Sequence, residues 1–195
     1  YLYEGGIPEF VLTQDISQLN ELLNSILYKD IIAQYNIKNE KEIKELLRLL
    51  CQRIGKPTSY NKLANILHIS GDTVKKYITY FEKTYLFYSV EKYAKSVNES
   101  ITAPKKFYIA DLGLKRLISS NKEWGVDFEN LVFLYIKNKN PSYYLYDGIE
   151  IDFCFDDTII EVKYQTEMNT KQKELFDKLR FKHKLLIKDY TFFLT

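Results

Sequence analysis

The stretch that decides the reading is Glu150-Ile151-Asp152-Phe153-Cys154-Phe155-Asp156-Asp157-Thr158-Ile159-Ile160-Glu161-Val162-Lys163-Tyr164. Two short apolar runs flank an Asp-Asp pair, which predicts a β-hairpin with Asp156 and Asp157 as turn residues. Asp152 lies in the first run, Glu161 and Lys163 in the second. Side chains alternate along a strand, so Glu161 and Lys163 share a face with Val162 opposite. Two carboxylates and an ammonium beside one sheet suit phosphodiester hydrolysis. The carboxylates hold a hard cation that activates water, and the ammonium stabilises charge building on the phosphate.

On that reading Asp152 and Glu161 ligate Mg2+ or Mn2+, Val162 offers its carbonyl, and Lys163 faces the phosphate. Glu129, on a helix predicted over residues 126–137, reaches the same site. The catalytic set is then Glu129, Asp152, Glu161 and Lys163, and the metal set Asp152, Glu161 and Glu129. The competing reading is a solvated Glu-x-Lys charge pair. Around the hairpin the patterns predict strands at 143–146, 149–155 and 158–164. A helix over 170–181 follows, then strands at 185–187 and 191–194. The segment 121–195 is thus a small α/β domain.

The preceding residues are mainly helical. Apolar positions spaced for a helix run through 15–35, with Asp15 as cap, and through 40–53. A short helix at 59–67, with Leu63, Ile66 and Leu67 inward, turns at His68-Ile69-Ser70-Gly71 into a second, capped by Ser70, that buries Val74, Ile78 and Phe81. Tyr77, Tyr80, Tyr85, Phe87 and Tyr88 also read as core. Strand-like runs at 86–93 and 106–110, joined by a polar loop, complete a winged helix, followed by a short helix at 111–119. The division is a helical connector at 1–55, a winged-helix domain at 56–120 and the α/β domain at 121–195, with a polar boundary at 120–125. Fold class is α+β with an α/β second half and a mixed sheet.

A recognition helix needs an apolar face to dock and a polar face for the groove. Lys62, Thr73, Lys75, Lys76, Thr79, Lys105 and Lys106 are the candidate DNA contacts. Residues 73–80 contain no Arg, Asn or Gln, the common base readers, so the expected contact is to phosphates and weakly selective. An interaction or spacer module without DNA is the alternative.

Bulk composition is neutral on this point. The chain has 195 residues, with Lys plus Arg 28 against Asp plus Glu 26, a net charge of +2, so a basic surface has to be local. Cys51 and Cys154 lack metal-ligand spacing, and a reduced, cytoplasmic location is expected. His68 and His183 are isolated, which disfavours a His-based site. No apolar run is long enough to span a membrane, so no membrane partner is expected. The sole methionine is Met168, which suggests that Tyr1 is not a natural start and that the chain is part of a longer one. No G-x-x-x-x-G-K-[ST] loop occurs, so no nucleotide-phosphate cradle is assigned.

The order helix Glu129, strand Asp152, turn, Glu161-x-Lys163 resembles the restriction-endonuclease-like superfamily, PD-(D/E)xK, with Ile151 in place of the proline. Its members include inactive ones. Other blocks resemble a family of prokaryotic AAA+-type P-loop ATPases beyond their ATPase core. They are Tyr1-Leu2-Tyr3-Glu4-Gly5-Gly6-Ile7-Pro8-Glu9, Tyr28-Lys29-Asp30-Ile31, and Lys105-Lys106-Phe107-Tyr108-Ile109-Ala110-Asp111-Leu112-Gly113-Leu114. Residues 125–132 and the pair Glu150-Ile151-Asp152-Phe153 with Ile160-Glu161-Val162-Lys163 belong to the same set. The resemblance implies an ATP-binding module upstream, through which the protein self-associates, and a nuclease-like site that is active or retained only as scaffold. A DNA-binding ATPase with a metal-dependent nuclease, a non-catalytic interaction or sensor module, and a regulator using only the winged helix all stay open.

Overall fold

A computed structural model of the chain describes every residue except Tyr3, Ser120 and Thr195. These three fall in the first resemblance block, in the expected domain boundary and at the last position of the α/β segment. The chain forms two compact units, Tyr1–Ser89 with Phe107–Lys122, and Val90–Lys106 with Glu123–Thr195. The units group the residues differently from the three sequence segments. Residues 1–55 share a unit with 56–89, and 90–106 joins the second unit.

The first unit is helical. Pro8 starts α1 (Pro8–Thr13), where its missing N–H costs nothing. Asp15 caps α2 (Ile16–Asn24) by accepting from the Ser17 N–H, as the sequence predicts. The chain then continues as a π-helix over Ser25–Ala33. The apolar stripe there is narrower than expected, with Leu19, Leu27 and Ile31 buried but Ile16 and Leu22 exposed. Next come α3 (Glu40–Gln52), α4 (Tyr60–Leu67) and α5 (Gly71–Lys83). Ser59 caps α4 and Ser70 caps α5, each satisfying an amide that the helix leaves unpaired.

Leu46, Leu50, Leu63, Val74, Ile78 and Phe81 form the core that joins these helices. Ile66, expected inside, is exposed. Tyr85 is a second correction. It stands at φ 57° in the turn after α5 and is 70% exposed, because that left-handed turn directs the chain into the next strand and the side chain outward. The strands β1 (Phe87–Val90) and β2 (Lys106–Ile109) pair with each other. Between them the expected polar loop contains a helix, α6 (Val97–Thr102), capped by Ser96.

After β2, α7 (Leu112–Ile118) is capped by Asp111, whose Oδ1 accepts from the Leu114 N–H at 3.1 Å. Its Oδ2 accepts from the Gly6 N–H at 2.6 Å. Gly5, at φ +76°, and Gly113 let the two backbones meet there. A methyl group on Gly113 would stand 2.5 Å from the Glu4 carbonyl. Two resemblance blocks far apart in sequence are therefore halves of one clasp.

The second unit is built on a mixed sheet ordered β3-β4-β5-β6. It contains β3 (Ser142–Tyr146), β4 (Ile149–Phe155), β5 (Thr158–Val162) and β6 (His183–Ile187). The first three run antiparallel and β6 pairs parallel with β5. The hairpin is as read, with Asp156 at φ 48° in the turn. α8 (Trp124–Ile136) supplies Phe133, which meets Phe153. α9 (Thr170–Lys178) supplies Phe176, which packs with Ile151, Cys154 and Ile159. Phe153 and Cys154 are adjacent on one strand, so α8 and α9 cover opposite faces of the sheet.

Two features correct or extend the reading. Residues 190–194 form a 3-10 helix instead of a strand. Phe192 and Phe193 pack edge-to-face against Tyr135 there, and this packing replaces strand pairing. In addition, Ser142 pairs with Cys154 but Tyr144 with Ile151, so β4 carries an extra residue around Asp152 and Phe153. A bulge of this kind bends the strand and re-aims a side chain. It also lets Ile151 and Cys154, three residues apart, share the α9 face.

Candidate functional site

All four residues of the expected catalytic set lie in the second unit. Glu129 projects from α8, Asp152 from the bulged part of β4, Glu161 from β5, and Lys163 follows β5 directly. The hairpin locks its two carboxylates together. Asp152 Oδ2 accepts from the Val162 N–H at 3.0 Å, and Glu161 Oε2 accepts from the Asp152 N–H at 3.3 Å. Glu161 Oε1 accepts from Gln172 Nε2 at 2.7 Å and from the Lys163 ammonium. Gln172 also donates to the Glu150 carbonyl at 2.8 Å, which ties α9 to the strand carrying Asp152.

A further cation enters this cluster. The Lys106 ammonium lies 2.8 Å from Glu129, 2.8 Å from Glu150 and 3.1 Å from Asp152, and its side chain is 0% exposed. This corrects the sequence assignment of Lys106 as a DNA-phosphate contact. Neighbouring carboxylates draw it inward, since a buried ammonium needs opposite charge around it. Lys105 is also largely buried and is paired with Glu91 at 2.6 Å, so it too is committed internally. Thr73 is hydrogen-bonded to Ser70, and Thr79 to the Lys75 carbonyl. Of the expected DNA contacts, Lys62, Lys75 and Lys76 are exposed.

The electrostatics follow from burial. Glu161, 0% exposed, has its pKa pushed up to about 8, by burial first and by the Asp152 charge second. Burial also raises Glu150, against the pull of Lys106. Lys163 is raised as well. Burial opposes this, but the carboxylates of Glu161, Asp152 and Glu129 outweigh it. Cys51 and Cys154 are buried thiols held up at about 12 by burial, so neither is a nucleophile at neutral pH.

An open cleft of about 570 Å³ runs beside the cluster. Its lining includes Trp124, Glu129, Asp152, Lys163, Tyr164 and Gln165. The oxygen donors suit a hard cation, but Lys106 already holds Glu129 and Asp152, the oxygens that Mg2+ or Mn2+ would share. Among the described residues no group of three or more His, Cys, Asp or Glu side chains is placed to hold a metal. A divalent ion sharing oxygens with Lys106 would stand about 4 Å from its ammonium, and at an effective dielectric of about 20 that repulsion is about 8 kcal/mol.

Sequence reasoning missed Lys106 in this role, together with Glu150 and Gln172. The partial signal was that Glu150 adjoins the hairpin. Nothing local marks Lys106, which is 46 residues from Asp152.

Fold and site together define a mixed α+β protein whose second unit carries a buried carboxylate–lysine cluster. The chain belongs to the family described as a domain of unknown function, DUF8612, which matches residues 1–124. It is 30% identical over 189 residues to the uncharacterized protein MJ1544 of Methanocaldococcus jannaschii, covering 88% of this chain and 42% of that protein. It is 25% identical over 186 residues to an uncharacterized protein of Haemophilus influenzae, covering 87% of this chain and 46% of that protein. The chain thus spans less than half the length of these relatives. It also resembles the structure of a point mutant of S. aureus MepR. The TM-score is 0.33 at 18% identity, over 68% of this chain and 85% of that one, which is too low to carry an argument. No helix among the described residues is long and apolar enough to cross a membrane.

Proposed function

We propose that this chain is the C-terminal part of an AAA+-type P-loop ATPase. On this reading it touches DNA phosphates through a winged helix and carries a restriction-endonuclease-like domain in non-catalytic form, as an interaction or sensor module. ATP binding and self-association would belong to the ATPase module. The observation that carries the non-catalytic reading is the state of the Glu-x-Lys pair. The fully buried Glu161 carboxylate is bonded by Lys163, Gln172 and the Asp152 N–H, so the groups that would serve a metal and a phosphate serve each other. The exposed Lys62, Lys75 and Lys76 on α4 and α5 support the DNA contact.

Incubation with plasmid, single-stranded DNA or RNA in Mg2+ or Mn2+ tests this reading. The expected result is no cleavage. Metal-dependent cleavage that Asp152→Ala and Lys163→Ala abolish, in folded protein, would overturn it. One observation favours the second reading, a metal-dependent nuclease. The cleft is open and is lined by Glu129, Asp152 and Lys163 together.

A further inference from the structure

We propose that Lys106 is the resident cation of the carboxylate cluster. Its ammonium holds two of the three expected metal ligands, Glu129 and Asp152, together with Glu150, in the metal's place. The inference rests on the restriction-endonuclease-like reading of the second unit and goes beyond it by naming what fills the site.

Three observations carry it. First, an ammonium has three N–H donors, and Lys106 meets three carboxylates at 2.8, 2.8 and 3.1 Å, one for each donor. Second, the side chain is completely buried, with the Phe153 ring 5.7 Å away. This position is tenable for an ammonium only because the carboxylates surround it. Third, the three partners come from two elements, Glu129 from α8 and Glu150 and Asp152 from the bulged strand β4. They converge on one point, as ligands do on a metal, and that point is the lysine nitrogen. Burying these carboxylates together requires a cation, and the chain provides its own.

The test is Mn2+ binding, read by calorimetry and by thermal stability, on the wild type, Asp152→Asn, Lys106→Met, Lys106→Met with Asp152→Asn, and Lys106→Met with Glu150→Gln. Wild type should bind Mn2+ at least tenfold more weakly than Lys106→Met and show no stabilisation by millimolar Mn2+. Lys106→Met should be stabilised by Mn2+, and Asp152→Asn added to it should abolish that gain. The pair with Glu150→Gln removes one charge of each sign and preserves folding if the single variant does not fold. Tight Mn2+ binding by the wild type that Asp152→Asn removes would overturn the proposal. So would a folded Lys106→Met, or the charge-matched pair, with no gain in binding. The outcomes separate from those of the non-catalytic reading. Cleavage by the wild type in EDTA would refute that reading and leave Lys106 as the resident cation. Asp152-dependent Mn2+ binding without cleavage would do the reverse.

Discussion

Asp111→Ala tests the clasp in the first unit. Asp111 is 6% exposed and accepts two backbone hydrogen bonds, from Leu114 at 3.1 Å and from Gly6 at 2.6 Å. Losing an N-cap costs about 0.5–2 kcal/mol. Leaving the Gly6 N–H without its acceptor costs about 1–3 kcal/mol more. Relief of burying the carboxylate offsets part of this, so the expected loss is about 1–4 kcal/mol. Asp111→Asn keeps one acceptor oxygen and should lose about half as much. Urea unfolding followed by circular dichroism measures the difference, and amide exchange locates it at Gly6 and Leu114. A loss under about 0.5 kcal/mol in Asp111→Ala, or exchange unchanged at both amides, would refute the argument that this side chain holds the N-terminal segment to α7.

Other outcomes follow from the same geometry. Gly113→Ala places a methyl 2.5 Å from the Glu4 carbonyl, a clash with backbone that should cost about 1–3 kcal/mol in urea unfolding. The Glu161 pKa is raised from 4.5 to about 8 by burial, so the folded state holds this proton more tightly than the unfolded chain. Its contribution is fully present below about pH 4.5 and is lost as pH rises to about 8, with a slope approaching about 1.4 kcal/mol per pH unit. Glu161→Gln should flatten the decline in stability between about pH 5 and 8, and an unchanged slope would assign the decline elsewhere. Lys75→Glu with Lys76→Glu should weaken DNA binding similarly for all sequences. Each lysine lost should reduce the magnitude of the salt slope by about 1, measured by fluorescence anisotropy across a salt series.

Local signals made much of this protein legible. Serine and aspartate caps, an Asp-Asp turn between apolar runs and helical spacing of leucines each act over a few residues. Accordingly α4, α5, α7 and the β4–β5 hairpin lie where the sequence places them. The carboxylates Asp152 and Glu161 were legible for the same reason, since one hairpin carries both. What filled the space between the carboxylates was not. Lys106 sits among lysines that read as a basic surface, and only folding shows that it enters the second unit and meets Glu129, Glu150 and Asp152. The bulge beside Asp152 depends on its pairing with β3, and the 3-10 helix at residues 190–194 depends on aromatic packing against α8. The residue types thus determined that carboxylates and lysines would be available beside a sheet. Their partners were decided by the tertiary structure, because ion pairing inside a protein follows burial and distance, and neither is a property of neighbours in sequence.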